Sequence, residues 1–311
     1  DSTNGWIPTS DIANAFDHGD PPTQKAIFGY GYISAVSSLT NLVSSSGVVA
    51  SDVTGVGTAR WYLAAVSYGG DKAIFGYGDS GSATAITNLV SNSGVVATDT
   101  SGVGTARTFL AAARYGGDKA IFGYGYTGSA SSLSNLVSNS GVVASDVTGV
   151  GTARRGLAAA SYGSDKAIFG YGFIYSGGDV LYSMTNLVTN VGVIGSDVSG
   201  VGTARLGLAA AGYGTDKAIF GYGNTASKVS ITNLVSNSGV VGSDVSGVGT
   251  ARGYIAASSY GGDKAIFGFG NDGSNVSMTN LVNSSGVVAS DVSGVGTARR
   301  TLAAAGYSFS A

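Results

Sequence analysis

Leu110-Ala111-Ala112-Ala113-Arg114-Tyr115-Gly116-Gly117-Asp118-Lys119-Ala120-Ile121-Phe122-Gly123-Tyr124-Gly125 holds the pattern that decides the fold. Two short apolar runs flank Gly116-Gly117-Asp118, residue types that suit a tight turn. After a loop, Leu133-Ser134-Asn135-Leu136-Val137 makes a third run and Ser138-Asn139-Ser140-Gly141 a second turn. Val142-Val143-Ala144-Ser145-Asp146-Val147 makes a fourth run. Gly149, Gly151 and Arg154 then lead to Leu157, where the pattern starts again. Four runs of about 5–7 residues separated by turn chemistry predict a four-stranded antiparallel unit.

The unit recurs. Lys-Ala-Ile-Phe-Gly begins at Lys25, Lys72, Lys119, Lys166, Lys217 and Lys264, at intervals of 47, 47, 47, 51 and 47 residues. Thr-Ala-Arg ends at Arg60, Arg107, Arg154, Arg205, Arg252 and Arg299. A period of about 40–50 residues marks a solenoid, a propeller or an array, whose units bury their apolar surface against one another. The small side chains of the first run suit strands converging on a narrow axis. The second run is apolar on both faces, as expected of a strand between neighbouring units, with Phe75, Phe122 and Phe220 packing across. The last first-run copy, at Leu302, has no second run after it, and the run at Lys25 has no first run before it. Joining the two removes exposed edges for one closure of the chain. The sequence therefore predicts an all-β fold over Gln24–Ala311: a six-bladed β-propeller, four antiparallel strands per blade, closed by the C-terminal inner strand. Asp1–Thr23, with Trp6, Pro8, Phe16, His18, Pro21 and Pro22, matches no repeat and is expected to be a separate arm, plug or linker.

The order Arg-x-x-Leu-Ala-Ala-Ala, Tyr-Gly-Gly, an apolar strand ending Phe-Gly-Tyr-Gly, then Thr-Ala-Arg resembles a kelch-type repeat, over Gln24 to Ala311. Kelch repeats similarly place an Arg before the inner strand and a glycine pair after the next apolar strand. The usual outer-strand Tyr and Trp are missing, and Asn-Leu-Val and Ser-Asp-Val stand in their places. The near-identical units also resemble, in repetitive style, tail and fibre proteins of bacterial viruses.

Composition narrows the function. Among 311 residues there are 52 Gly, no Cys and one His, and every acidic residue is Asp. A formal charge of −2 argues against nucleic acid, which needs Lys and Arg concentrated on one face. No apolar run approaches the roughly 20 residues of a transmembrane helix, so membrane insertion is not expected. The chain starts at Asp1 rather than Met, consistent with a precursor that is processed or only partly visible. His18 lies outside the repeats, and without Cys or Glu no Ser/His/Asp or Cys/His site can be assembled within them. A copper-radical oxidase of kelch-like architecture needs a Tyr–Cys link and histidine ligands, which this chain lacks. Paired Asp residues could serve at a glycosidic bond, but they recur alike in every unit. Asp-Val-Ser-Gly-Val-Gly offers calcium a single carboxylate, so no metal or other cofactor is expected. Asp52, Asp99, Asp146, Asp197, Asp244 and Asp291 each precede an Arg by eight residues and read as structural ion pairs within or between units. The Asp-Lys pairs at Asp71-Lys72 and Asp118-Lys119 read as turn residues.

Two places vary between units. One follows Phe-Gly-Tyr-Gly: Tyr32, Asp79, Tyr126, Phe173, Asn224 and Asn271 open those loops, and the fourth carries the insertion around Asp179. The other is the pair after each Arg: Trp61-Tyr62, Thr108-Phe109, Arg155-Gly156, Leu206-Gly207, Gly253-Tyr254 and Arg300-Thr301. In an up-and-down blade both sets share one face, opposite the constant turns. Variation confined to one face marks either a binding face or drift in exposed loops, and exposed aromatics favour binding. The candidate binding residues are Trp61, Tyr62, Asp79, Phe109, Tyr126, Arg155, Phe173, Tyr175, Asp179, Tyr182, Asn224, Tyr254, Asn271 and Asp272, with no catalytic residues.

The expectation is a non-enzymatic recognition or structural module, in a virion or extracellular. In the leading reading it is a phage surface or tail-fibre component that binds a host-surface glycan or protein, or other virion proteins. A secreted lectin-like propeller and a self-assembling brick, a homo-oligomer, are the alternatives.

Overall fold

A computed structural model describes residues 23–311, so the arm expected over Asp1–Thr23 lies outside the described residues apart from Thr23. The described chain is all-β, with repeated antiparallel sheets. Each repeated sheet has an alanine-rich strand, a central Lys-Ala-Ile-Phe-Gly strand and a strand around Asn-Leu-Val, as in Ala64–Tyr68, Lys72–Gly76 and Thr87–Val90. Among the described residues there are six such three-stranded sheets and one small two-stranded hairpin. The alanine-rich strands are Ala64–Tyr68, Ala111–Tyr115, Ala158–Tyr162, Ala209–Tyr213, Ala256–Tyr260 and Ala303–Tyr307. Burial alternates along the first five of them and is near-continuous in Ala303–Tyr307, whereas Ala-Ile-Phe-Gly of each central strand is buried on both faces.

The expected fourth strand is corrected. The run after each Asn-Leu-Val strand touches it through isolated bridges, such as Val43 with Val49 and Thr40 with Val53. Ala50 N–H donates to Leu42 C=O and Val53 N–H to Thr40 C=O, so three steps on one side oppose two on the other. That is a bulge. The Asn41 side chain fills it, donating to Ala50 C=O at 3.0 Å and to Asp52 Oδ1 at 2.9 Å. A side-chain amide replaces part of the ladder, and the run never becomes a regular strand.

The first sheet is built from both ends of the described chain. Lys25–Gly29 pairs with Thr40–Val43 on one side and with Ala303–Tyr307 on the other, Lys25 opposite Tyr307 and Gly29 opposite Ala303. Successive alanine-rich strands lie beside one another, and Ala303–Tyr307 lies beside Ala64–Tyr68, where Ser67 Oγ donates to Gly306 C=O at 2.8 Å. Side chains interlock in the same order. The tip of the Phe75 ring occupies the place that a Cβ on Gly29 would take, 2.6 Å from its Cζ, and Phe122 does the same at Gly76. Phe28 fills that notch at Gly268, in the last central strand.

Thr-Ala-Arg crosses from each sheet to the next, and its arginine is fully buried between them. Arg60 donates through Nε to Tyr77 C=O (2.8 Å), through Nη1 to Thr58 C=O (3.0 Å) and through Nη2 to Asn88 Oδ1 (2.6 Å). Its guanidinium lies 4.4 Å from the centre of the Tyr30 ring in the preceding sheet. Spacing in sequence leaves open whether Asp52 pairs within its own unit, with Arg60, or between units. The structure assigns Asp99 to Arg60 (3.9 Å) and Asp52 to Arg299 (3.7 Å), so the carboxylates bridge sheets. Asp99 also accepts the N–H and Oγ1–H of Thr58, at 3.0 and 2.6 Å from its Oδ2. The Asp71-Lys72 turn pair is observed, with Nζ–Oδ1 at 2.7 Å.

Burial alone would raise the pKa of each clasp aspartate. The hydrogen bonds from Thr and Asn, together with the arginine charge, outweigh it and hold Asp52, Asp99, Asp146, Asp197, Asp244 and Asp291 below the ordinary value of 3.8. A carboxyl whose folded pKa is depressed stabilises the fold fully above its unfolded pKa, and this is lost as pH falls through the folded one. Calorimetry should therefore show a steady Tm down to about pH 4 and a steep decline below it. Changing the six aspartates to Asn should lower Tm at neutral pH and flatten that acid decline.

Candidate functional site

The two variable sets meet at the ends of the strands opposite the Asp-Lys turns. Trp61 and Asp79 exchange backbone hydrogen bonds (3.0 and 2.9 Å), as do Thr108 with Tyr126, Arg155 with Phe173, Leu206 with Asn224, Gly253 with Asn271, and Arg300 with Tyr32. These pairings place candidate residues from distant parts of each unit side by side.

One residue further along, the backbones form a relay. Phe109 N–H donates to Tyr62 C=O, Gly156 to Phe109, Gly207 to Gly156, Tyr254 to Gly207, Thr301 to Tyr254, and Tyr62 to Thr301 C=O, which returns the relay to its start at 2.7–3.0 Å per step. All six residues have left-handed backbones, with φ between 52° and 64°. Glycine adopts this region freely, and Gly156 and Gly207 use that freedom. Tyr62, Phe109, Tyr254 and Thr301 hold it at a cost of about 1–2 kcal/mol each. Below the relay lies a cavity of about 90 Å³, and beyond it a second of about 190 Å³ lined by the alanine-rich strands, with Arg114 and Lys217 as its charged lining residues.

Part of the face is aromatic. Ring centres lie 4.8 Å apart for Tyr32 and Trp61, 4.3 Å for Trp61 and Tyr62, and 3.6 Å for the stacked pair Tyr62 and Phe109. Tyr254 meets Tyr62 edge-on at 6.2 Å. Arg155 lies over Tyr126 (4.3 Å), Phe173 (4.7 Å) and Phe109 (5.6 Å), and Arg300 lies over Tyr32 at 5.3 Å. An unbroken run of stacked groups thus extends from Arg300 to Arg155. Tyr32 and Arg300 complete it; both stand in the variable sets but are not among the candidate binding residues named from sequence. Their signal was the shared register, since each occupies in its unit the position held by Tyr126 or Arg155.

Burial raises the Tyr62 hydroxyl to about 12, and nearby Tyr254 and Asp79 add to this while Arg300 and Arg155 oppose it. Tyr254 is raised by burial and by Asp179, again against Arg300 and Arg155. Both tyrosines are neutral donors at physiological pH, within the field of both arginines.

Other candidates lie apart from the stack. The insertion forms a hairpin, Phe173–Tyr175 with Asp179–Leu181, on which Tyr175 is 68% exposed. Tyr182 N–H donates to Gly172 C=O. Asp79 and Asp272 accept backbone N–H groups of Gly81 and Ser274 in their own loops. The Asn224 amide nitrogen is buried without a hydrogen-bond partner, beside Gly207 and Gly253. Among the described residues no three His, Cys, Asp or Glu side chains gather as a metal site. Neither a model of a known protein family nor a curated protein matches the chain.

The Tyr62–Phe109 contact should be separable from the rest of the fold. A double-mutant cycle with Tyr62→Ala and Phe109→Ala, read by denaturant unfolding, should give a coupling of about 0.5–1.5 kcal/mol. Additive losses would mean that the two rings are held by the backbone relay alone.

Proposed function

We propose that the chain is a six-bladed β-propeller of kelch-like design, closed by its C-terminal strand, and that it works as a non-enzymatic recognition module. On this reading it belongs to a virion surface or tail fibre and attaches to a host-surface glycan or protein through the aromatic face. The observation that carries the attachment reading is the contrast between the two ends of the repeated sheets. One end repeats its turns almost unchanged, while the other keeps a constant backbone relay and varies the side chains on it, with stacked aromatics and two arginines. Aromatic and arginine side chains dominate binding hot spots. Three features support closure: the pairing of Ala303–Tyr307 with Lys25–Gly29, the Phe28 contact at Gly268, and the relay that returns to Tyr62.

A second reading, the assembly brick, draws on the outer runs. Val48, Val95, Val142, Val193, Val240 and Val287 are exposed at equivalent places, at 58–65%. Apolar groups repeated in this way suit contact between copies of the chain.

Trp61→Ala with Tyr62→Ala should weaken attachment to host cells by roughly 30-fold or more, the loss of about 2 kcal/mol that marks an anchor, while the thermal transition stays cooperative. Undiminished attachment would sink the aromatic-face reading, and sedimentation of the unaltered chain as a large oligomer would favour the brick. Deleting Leu302–Ala311 tests closure separately. It removes the partner of Lys25–Gly29 and should lower Tm severely, whereas an unchanged Tm would refute a closed ring.

A further inference from the structure

We infer that the aromatic face takes a carbohydrate bearing carboxylate groups, bound between Arg155 and Arg300. This rests on the recognition reading above and names the ligand class for that face.

The arginines of this chain differ in how their donors are used. Arg60 and its five counterparts are buried, and backbone carbonyls and an asparagine occupy their N–H groups. The guanidinium groups of Arg155 and Arg300 make no hydrogen bond or ion pair among the described residues, and only the backbones of the two residues pair, with Phe173 and Tyr32. They lie over aromatic rings, Arg155 over three. Stacking fixes the plane of a guanidinium and leaves its edge, where the N–H groups point, open to an acceptor in that plane. A carboxylate matches that edge with two parallel hydrogen bonds. The aspartates nearby do not fill this role: Asp79 and Asp272 cap their own loops, Asp179 lies on the inserted hairpin, and none of the three forms an ion pair among the described residues.

The two arginines stand three units apart in the order of six, and the stacked rings of Tyr32, Trp61, Tyr62 and Phe109 run between them. Both act on the Tyr62 and Tyr254 hydroxyls, so the two charges reach the same central region. The cavity below the relay holds only about 90 Å³, which favours a ligand lying across the face over an inserted side chain. A pyranose ring suits this surface, because its C–H face packs on an aromatic ring while its rim of hydroxyls meets polar groups. An acidic sugar adds the carboxylate. Nucleic acid also combines stacking with negative charge, but two arginines in a chain of net charge −2 make a small electrostatic footprint.

The test is binding of the whole chain to immobilised oligogalacturonate, its methyl ester, sialyllactose, lactose and a thymidine oligonucleotide. A carboxylated saccharide should bind roughly tenfold or more tightly than its uncharged counterpart, as expected for a charge-assisted contact. Arg155→Gln with Arg300→Gln should abolish that preference without lowering Tm, and Arg155→Lys with Arg300→Lys should keep part of it. Equal binding of charged and uncharged saccharides would overturn this inference and leave the recognition reading standing. The same holds if no saccharide binds while attachment to cells still depends on Trp61 and Tyr62. Binding of the oligonucleotide alone, lost in the Gln variant, would reassign the face to nucleic acid. Absence of binding to every probe and to cells would overturn both readings.

Discussion

A guanidinium buried between two sheets is the constraint on which the rest of the structure depends. Removing it from water is unfavourable unless its N–H groups find acceptors, and burial pushes even Arg299 down to about 10. The repeat is arranged to supply those acceptors. Tyr77 adopts a left-handed backbone at φ 62°, which directs its carbonyl to Arg60 while its ring lies beneath Arg107 at 4.4 Å. Each such aromatic residue therefore serves two arginines, one through the main chain and one through the ring. Asn88 joins the Arg60 fork to Asp99, and Asp99 holds Thr58. Change in one member leaves a buried donor or acceptor without its partner in the next sheet, which explains why these words hardly vary along the chain.

The aromatic face follows the opposite rule. Its backbone relay depends on N–H and C=O groups that every residue other than proline carries, so side chains can change without breaking it. The left-handed conformation is the only demand, and glycine meets it most easily. That four of the six positions carry Tyr, Phe or Thr means other contacts offset the conformational cost. For Tyr62 and Phe109 those contacts are the stack itself.

Much of this architecture was legible in the sequence because strands, turns and period are local signals. The pairing of Leu302's run with the run at Lys25 followed from counting, since one had no successor and the other no predecessor. The fourth run looked like a strand because Val-Val-Ala-Ser-Asp-Val has strand composition. Its failure to pair regularly depends on the amide of Asn41 and its equivalents, which composition does not reveal. The partner of each aspartate, left open between its own unit and a neighbour, is settled only by contact between sheets, on which separation along the chain is silent. In the candidate site, Trp61, Tyr62, Phe109 and Arg155 were legible as exceptions within a repeat. Tyr32 and Arg300 stood in the same variable sets, and strand pairing shows that they sit side by side at the end of the stack.

The pairing of Lys25–Gly29 with Ala303–Tyr307 also has a meaning for synthesis. At ribosomal speed, roughly a quarter of a minute to a minute separates the emergence of the two strands. Through that interval the earliest sheet presents an open edge to its surroundings. The alanine-rich strands are nearly interchangeable, so a late strand from one nascent chain fits the waiting edge of another almost as well as its own. Completion of the first sheet thus waits on Ala303–Tyr307, the latest of the described strands to be made.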